Sequence, residues 1–332
     1  MFQIAVVGTG FIGLSHIAAH GKSPDAKVVA VVDINAEAGE AAAKEAGCNY
    51  YSTLEEALEK ESIDVVDVCL PTVLHEEFTI KAANAGKHVL CEKPVTFTMD
   101  SVERMIGACN ANNVQFMVAQ VARWWPEFAT IKEHIDAGKL GKPRFVYEKR
   151  LAQHPNWTQW HKDPNVSGGG LYDMNIHDID FLYTLYGLPE TVYASGWKSN
   201  TGCWDHVATT LTWADGAKAV CETSSAMTGA FPFSIEFRGS GDDGTICYSF
   251  TAGHNIKDGD AGASFMWYPI GDEDGVELSS EQVDMFEVEI QAFLDAIKNG
   301  VEPPVTKQQT KDVLSITLAI KKSLDEGVLV TL

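Results

Sequence analysis

The chain has 332 residues, 45% hydrophobic and 21% charged, a globular composition longer than one core usually serves, so two domains are expected. Its formal net charge of −21 excludes the basic footprint that nucleic acid or an anionic membrane surface requires. Seven cysteines with neither paired spacing nor a CxxC argue for reduced thiols in a cytoplasmic protein and, without clustered ligands, against a metal site.

The opening FQIAVVG carries no basic leader and no long apolar run, so no signal peptide or transmembrane segment is expected. Gln3 to Val7 suits a buried parallel strand, and it leads into GTGFIG and then the helical LSHIAAHG. Gly8, Gly10 and Gly13 have the G-x-G-x-x-G spacing. The first permits a tight turn, the second admits a pyrophosphate to the backbone, and the third lets helix and strand pack closely. The helix start at Phe11 and Ile12 offers amide donors to phosphates. Close packing alone also selects glycine. A second strand, Lys27 to Val32, ends at Asp33, twenty positions after Gly13, where an acid accepts hydrogen bonds from the adenine ribose hydroxyls. That acid repels a 2′-phosphate and no arginine follows in INAEAGE, so NAD is favoured over NADP.

Helices over Ala36 to Ala46 and Leu54 to Lys60, a strand at Val65 to Leu70, a helix at Leu74 to Ala85 and the strand HVLCEKP continue the alternation. This predicts a doubly wound parallel sheet of the Rossmann type with its ligand beyond the strand C-termini. There, LPTVLH places Pro71 and Thr72 beside the cofactor, with His75 opening the next helix, and CEKP places Glu92 and Lys93 at the same edge. Pro94 keeps Lys93 off the helical region; a surface lysine after a strand is the plain alternative. A helix at Met99 to Asn112 and a strand ending at Gln120, grouped with the cofactor residues, complete a dinucleotide domain at 1–122.

Residues 123–332 read as an α+β domain on a mostly antiparallel sheet. It has a helix at Phe128 to Ala137, then strands near Arg144 to Leu151, Thr191 to Trp197, His206 to Trp213, Ala217 to Ser225 and Phe233 to Phe237. The stretch QHPNWTQWHKDPNVS, with His154, Asn156 and Trp157, offers ring faces and amides that suit a polyol or sugar, although Trp157 and Trp160 also serve as core anchors. Arg123 either touches substrate or braces the domain junction. In GGGLYDMNIHDID, Asp173, His177 and Asp180 recur at i, i+4 and i+7, one face of a continuous helix. A carboxylate one turn before a histidine orients the ring as a general base requires; a solvated helix face is the alternative. Asp180 either meets a further hydroxyl or caps the helix surface. GHNIKDGDAG reads as an exposed acidic turn without EF-hand spacing. Helices over Gln282 to Lys298 and Thr310 to Glu326 close the chain.

Taken together, AVVGTGFIG, PTVLH with AGKHVLCEKP, RWWP and GGGLYDMNIHDID resemble the Gfo/Idh/MocA dehydrogenases, the family of glucose–fructose oxidoreductase and inositol dehydrogenase, over the whole length. The resemblance implies a catalytic set of Lys93, Asp173 and His177, with the form D-x-x-I-H-D-x-D most similar to inositol dehydrogenases. It places His154 and Asn156 among substrate contacts and implies a homodimer or homotetramer. The expected activity is NAD-dependent oxidation of a secondary hydroxyl of a cyclic polyol, with His177 as base and Lys93 on the reacting oxygen, or with those roles exchanged. A sugar or sugar-derivative dehydrogenase is the alternative within the family. An NAD-binding sensor and a glycosidase using NAD transiently are the alternatives outside it.

Overall fold

The computed structural model describes residues 1–154, 160–252 and 262–332, so Asn156, Trp157 and nearly all of GHNIKDGDAG lie outside the described residues. The described residues form two compact units, Met1–Trp124 with Val283–Leu314, and Trp125–Gln282 with Ser315–Leu332.

In the first unit, apolar runs and helical stretches alternate as β1 (Phe2–Val7), α1 (Phe11–Lys22), β2 (Ala26–Val32), α2 (Ala36–Ala46), β3 (Asn49–Tyr51), α3 (Leu54–Lys60), β4 (Val65–Val68), α4 (His75–Asn84), β5 (His88–Glu92), α5 (Met99–Ala111) and β6 (Phe116–Ala119). Among the described residues these strands make a six-stranded parallel sheet in the order β3-β2-β1-β4-β5-β6. Strand order reverses between β1 and β4, which opens a crevice at their carboxyl ends. The three-residue β3 was not expected, because so short a strand has no periodicity to read.

The helix Met285–Asn299 also belongs to this unit, beyond the boundary expected at residue 122. Asp284 caps it by accepting from the amides of Phe286 and Glu287, and Gly300 ends it in the left-handed region. Its Ile290, Phe293 and Leu294 are buried in one cluster with Ile4, Val6, Ile17 and Leu90. An apolar helical stripe identifies a core face but not the sheet it covers, so sequence spacing does not say which unit such a helix joins.

The second unit contains α6 (Pro126–Asp136), β7 (Pro143–Leu151), α7 (Gly170–Asp173), α8 (Asn175–Tyr186), β8 (Thr191–Lys198), β9 (Trp204–Thr212), β10 (Lys218–Ser224), β11 (Ser234–Gly241), β12 (Gly244–Thr251), β13 (Gly262–Pro269) and β14 (Val276–Glu277). After the first-unit helix, here α9, the chain adds α10 (Lys307–Glu326), which spans the division at Leu314, and β15 (Val330–Thr331). The described strands form a nine-stranded sheet ordered β14-β13-β12-β11-β7-β10-β9-β8-β15. The β7–β10 pair is parallel and the other pairings are antiparallel. Alternate residues of β9 are buried, so one sheet face is covered, as VATTLTW suggested. The cover comes from α6 and α8, where Phe128 stacks on Phe181 at 4.5 Å and Phe181 meets Phe237 of β11 edge-on.

If α9 completes the first core, Phe293→Ala removes a fully buried ring and lowers unfolding free energy by about 3–5 kcal/mol, read as a lower urea midpoint.

Candidate active site

The glycine turn shows what each glycine does. Gly8 has φ +100°, and a β-carbon there would lie 2.3 Å from the Cys69 carbonyl oxygen at the end of β4. At Gly13 a β-carbon would lie 2.0 Å from the Gly8 carbonyl oxygen, so the helix is in backbone contact with the turn. Gly10 differs, since nothing described lies within 4 Å of its β-carbon position. Helix α1 begins at Gly10 with no side-chain cap and no acid in its first turn, around the exposed Phe11 and partly buried Ile12. An open backbone approach beside uncapped amides fits a pyrophosphate. At the end of β2, Asp33 Oδ2 accepts from the Thr9 amide (2.8 Å) and hydroxyl (2.6 Å), and Oδ1 from the Asn35 amide (2.8 Å). These three donors fix the carboxylate's direction, occupying both lone-pair sites of Oδ2 and leaving one on Oδ1.

The neighbouring strand ends are tied together. Pro71 and the buried Thr72 lead a short 3₁₀ turn after β4. His75 is fully buried rather than turned outward: Nε2 lies 2.7 Å from the Leu70 carbonyl oxygen and Nδ1 2.9 Å from that of Pro94. Burial lowers its pKa, against the pull of the Leu70 carbonyl, Glu92 and the Pro94 carbonyl. Its role in the fold is therefore to clasp the loops after β4 and β5. Glu92 is buried, and its Oε2 accepts from the Lys93 amide at 2.9 Å. Lys93 is partly buried and precedes a cis proline. Gln120, after β6, is buried, and among the described residues its Oε1 has no hydrogen-bond partner. Arg123 Nη1 donates to Gln309 Oε1 at 2.8 Å and reaches the Pro304 carbonyl at 3.4 Å, which braces the returning segment of its own unit.

In the second unit, Asp173 and His177 do not share one continuous helix. Asp173 ends α7, Met174 breaks the run with φ −108°, and His177 lies in the first turn of α8. Both are partly buried, whereas Asp180 is fully buried, so a surface-capping role for it does not hold. The glycine turn before α7 is held by Asp205, whose Oδ1 accepts from the Gly170 amide (2.8 Å) and the Ser225 hydroxyl (3.1 Å). Its Oδ2 accepts from the Ser199 hydroxyl (2.5 Å) and lies 3.3 Å from His154 Nε2. Burial pushes the Asp205 carboxyl up, but His154, Ser199 and the Gly170 amide together hold it well below the usual carboxylate range. Behind α8, Arg150 Nε and Nη2 meet Asp178 Oδ1 at 2.8 and 2.7 Å, and Asn175 Nδ2 donates to Thr223 Oγ1 at 2.8 Å. That buried pair sets which way α8 turns His177, one residue before Asp178.

Sequence reasoning missed His161, whose Nδ1 approaches Asp173 Oδ2 to 3.5 Å while the ring stacks on Trp160 at 3.8 Å. An imidazole in the same polar loop as His154 was the available signal. It also missed Asp205, whose WDH context carries none. Against the expectation that no metal ligands cluster, folding brings His16, Asp67 and Cys69 within 4.8 Å of one another.

A strand order of 3-2-1-4-5-6 with an acid after the second strand is the arrangement of a dinucleotide-binding domain. Residues 2–120 match the family described as "Oxidoreductase family, NAD-binding Rossmann fold", and residues 128–247 match the "GFO/IDH/MocA C-terminal domain". The chain belongs to the Gfo/Idh/MocA oxidoreductase family. It is 32% identical to the scyllo-inositol 2-dehydrogenase (NADP(+)) of Bacillus subtilis over 74% of this chain and 75% of that one. Identity is 27% to the myo-inositol 2-dehydrogenase of Thermotoga maritima, over 98% of this chain and 96% of that one. A levoglucosan dehydrogenase solved with NADH superposes with a TM-score of 0.82 at 25% identity, covering 99% of this chain and 98% of that one. Among the described residues no helix is long and apolar enough to cross a membrane.

Two alanine substitutions separate the roles of the glycines. Gly13→Ala forces α1 off the turn and destabilises the fold by at least about 1–3 kcal/mol. Gly10→Ala melts within a few degrees of the parent but binds NAD at least about tenfold more weakly, because its methyl occupies the phosphate approach. Calorimetric melting and NAD titration check the pair.

Proposed function

We propose that the protein is an NAD-dependent dehydrogenase that oxidises a secondary hydroxyl of a cyclic polyol, with an inositol as first candidate. The observation that carries the reading is Asp33, oriented by Thr9 and Asn35 beside an open glycine turn. Gly8, Gly10, Gly13 and the helix start at Phe11 and Ile12 would hold the pyrophosphate, and Asp33 the adenine ribose. Pro71, Thr72, Glu92 and Gln120 would border the nicotinamide half. Gln120 Oε1 suits a ligand N–H or O–H, since no described residue bonds it. His75 would act through the loops it clasps. The bound nucleotide supplies the hydride acceptor.

On the protein side, His177 takes the hydroxyl proton, Asp173 binds a neighbouring hydroxyl, and the Lys93 ammonium stabilises the developing alkoxide. The placement of His161 against Asp173 and of His154 against Asp205 supports an array of hydroxyl-binding groups around α7. Likeness to two inositol 2-dehydrogenases favours the inositol class. A sugar-derivative dehydrogenase is the second reading, favoured by full-length likeness to the levoglucosan enzyme.

Reduced-nicotinamide formation across a panel of inositols, aldoses and anhydrosugars tests the substrate class: turnover with an inositol and NAD bears the reading out, and turnover only with an anhydrosugar replaces it. Asp33→Ser should narrow the preference for NAD over NADP by about tenfold or more, and unchanged discrimination would remove Asp33 from the ribose site. Lys93→Ala and His177→Ala should each lower kcat about 10²–10⁴-fold with NAD binding nearly kept.

A further inference from the structure

Asp33 is held on every side, so the acceptor sites it offers can be counted. Its backbone amide donates to the Tyr51 carbonyl at 3.2 Å, and its own carbonyl accepts from the Tyr50 hydroxyl at 3.0 Å. A β-carbon at position 39 would lie 2.4 Å from the Tyr50 ring, so α2 packs on that ring only through Gly39. Asp33 therefore cannot shift to suit a ligand without breaking several contacts at once.

A carboxylate has about four lone-pair sites, and three of those on Asp33 are filled. The Thr9 amide and hydroxyl both donate to Oδ2, at 2.8 and 2.6 Å, and the Asn35 amide donates to Oδ1 at 2.8 Å. An adenine ribose brings two neighbouring hydroxyls, each an O–H donor. Only the last site on Oδ1 is open to them, so the acid is one acceptor short. The two amides are fixed by the backbone: Gly8, before Thr9, is tied to the Val32 carbonyl at 2.8 Å, and Asn35 caps α2. Of the three donors only the Thr9 hydroxyl can leave, by turning about its Cα–Cβ bond.

We propose that the Thr9 hydroxyl is a specificity-determining group of the cofactor site: it takes the Oδ2 place that a second ribose hydroxyl would use and so competes with the nucleotide for Asp33. The proposal rests on Asp33 holding the adenine ribose. A 2.6 Å bond to a charged acceptor is of the strong kind, so displacing it offsets most of what a second ribose hydroxyl would gain. The protein binds NAD through one ribose hydroxyl, or through two with Thr9 displaced. In both cases a side chain of the same shape without the hydroxyl binds NAD more tightly than threonine does.

Calorimetric titration of the full-length protein with NAD and NADP reads this without turnover. Thr9→Val should lower the Kd for NAD about three- to tenfold, the worth of one hydrogen bond. NADP has one free hydroxyl on its adenine ribose, which the open Oδ1 site already serves, so its Kd should stay within about twofold and the preference for NAD should widen. Thr9→Ser restores the hydroxyl and should return the Kd for NAD to the parent value. With NAD analogues lacking the adenosine 2′- or 3′-hydroxyl, Thr9→Val and the parent should bind alike. An unchanged or weaker Kd for NAD in Thr9→Val, or a gain kept by both deoxy analogues, would overturn the proposal. If Thr9→Val melts well below the parent, Thr9→Ala takes its place. Asp33→Ser separates this failure from that of the underlying reading. A preference for NAD left unchanged by Asp33→Ser removes Asp33 from the ribose site, and the proposal falls with it. A preference narrowed by Asp33→Ser but untouched by Thr9→Val sinks the competition alone. On the Asp33→Ser background, Thr9→Val should give no gain.

Discussion

The backbone contact between α1 and the turn after β1 governs the first unit. A β-carbon at position 13 would collide with the Gly8 carbonyl at 2.0 Å, so only glycine permits α1 to lie this close. The same closeness aims the uncapped helix start across Gly10, where a phosphate can approach. It also sets the deeper turns of the helix against β4, so that His16 and His20 both reach Asp67. One packing constraint therefore produces an anion-accepting surface at the top of the helix and a buried ion network beneath it.

The second unit solves a similar problem by different means. Helix α8 carries His177, and its orientation comes from the Arg150–Asp178 pair on the neighbouring, buried face. Removing one partner of such a pair costs about 3–5 kcal/mol, because the other charge is left buried and alone. The exposed Lys132–Asp136 pair of α6 is of the kind that contributes little. Asp205 does for the glycine turn what Arg150 does for α8, through donors from three separate segments: the Gly170 amide, Ser199 and Ser225. In both places a buried charge, rather than helix propensity, fixes where the polar groups of the site stand.

This difference decides what could be read from the chain before folding. The glycine turn and Asp33 are local: their spacing follows from one strand–turn–helix unit and was legible. So were five of the six strands of the first sheet. The strands β12 and β13 were not foreseen, because ICYSF and ASFMWYP mix small, polar and aromatic residues without clean alternation and become strands through their neighbours in the sheet. The break at Met174 was invisible for a related reason. DMNIHDID reads as one helix, whereas in the fold Gly170 is tied to Asp205 and Asp178 to Arg150, on either side of the break. His75 looked like a ligand-facing residue because it follows a strand end, yet its ring is occupied by two backbone carbonyls, from Leu70 and Pro94, that no short-range pattern relates. His16 and Asp67 are 51 positions apart, and nothing in either neighbourhood marks them as partners.

The balance of charge bears on the kind of ligand this architecture can favour. With 46 acidic against 25 basic residues, the protein repels anions at long range. An anionic dinucleotide would therefore need local compensation, which the amides and dipole of a helix start can supply without lysine or arginine. A 2′-phosphate on a ribose held by Asp33 would meet a carboxylate in place of a cation. The described groups around α7 follow the same logic. His154 and His161 each face a carboxylate, so neither imidazole stands as an uncompensated cation, and the array presents mixed donors and acceptors. Mixed donors and acceptors of this kind would read the direction of hydroxyl groups.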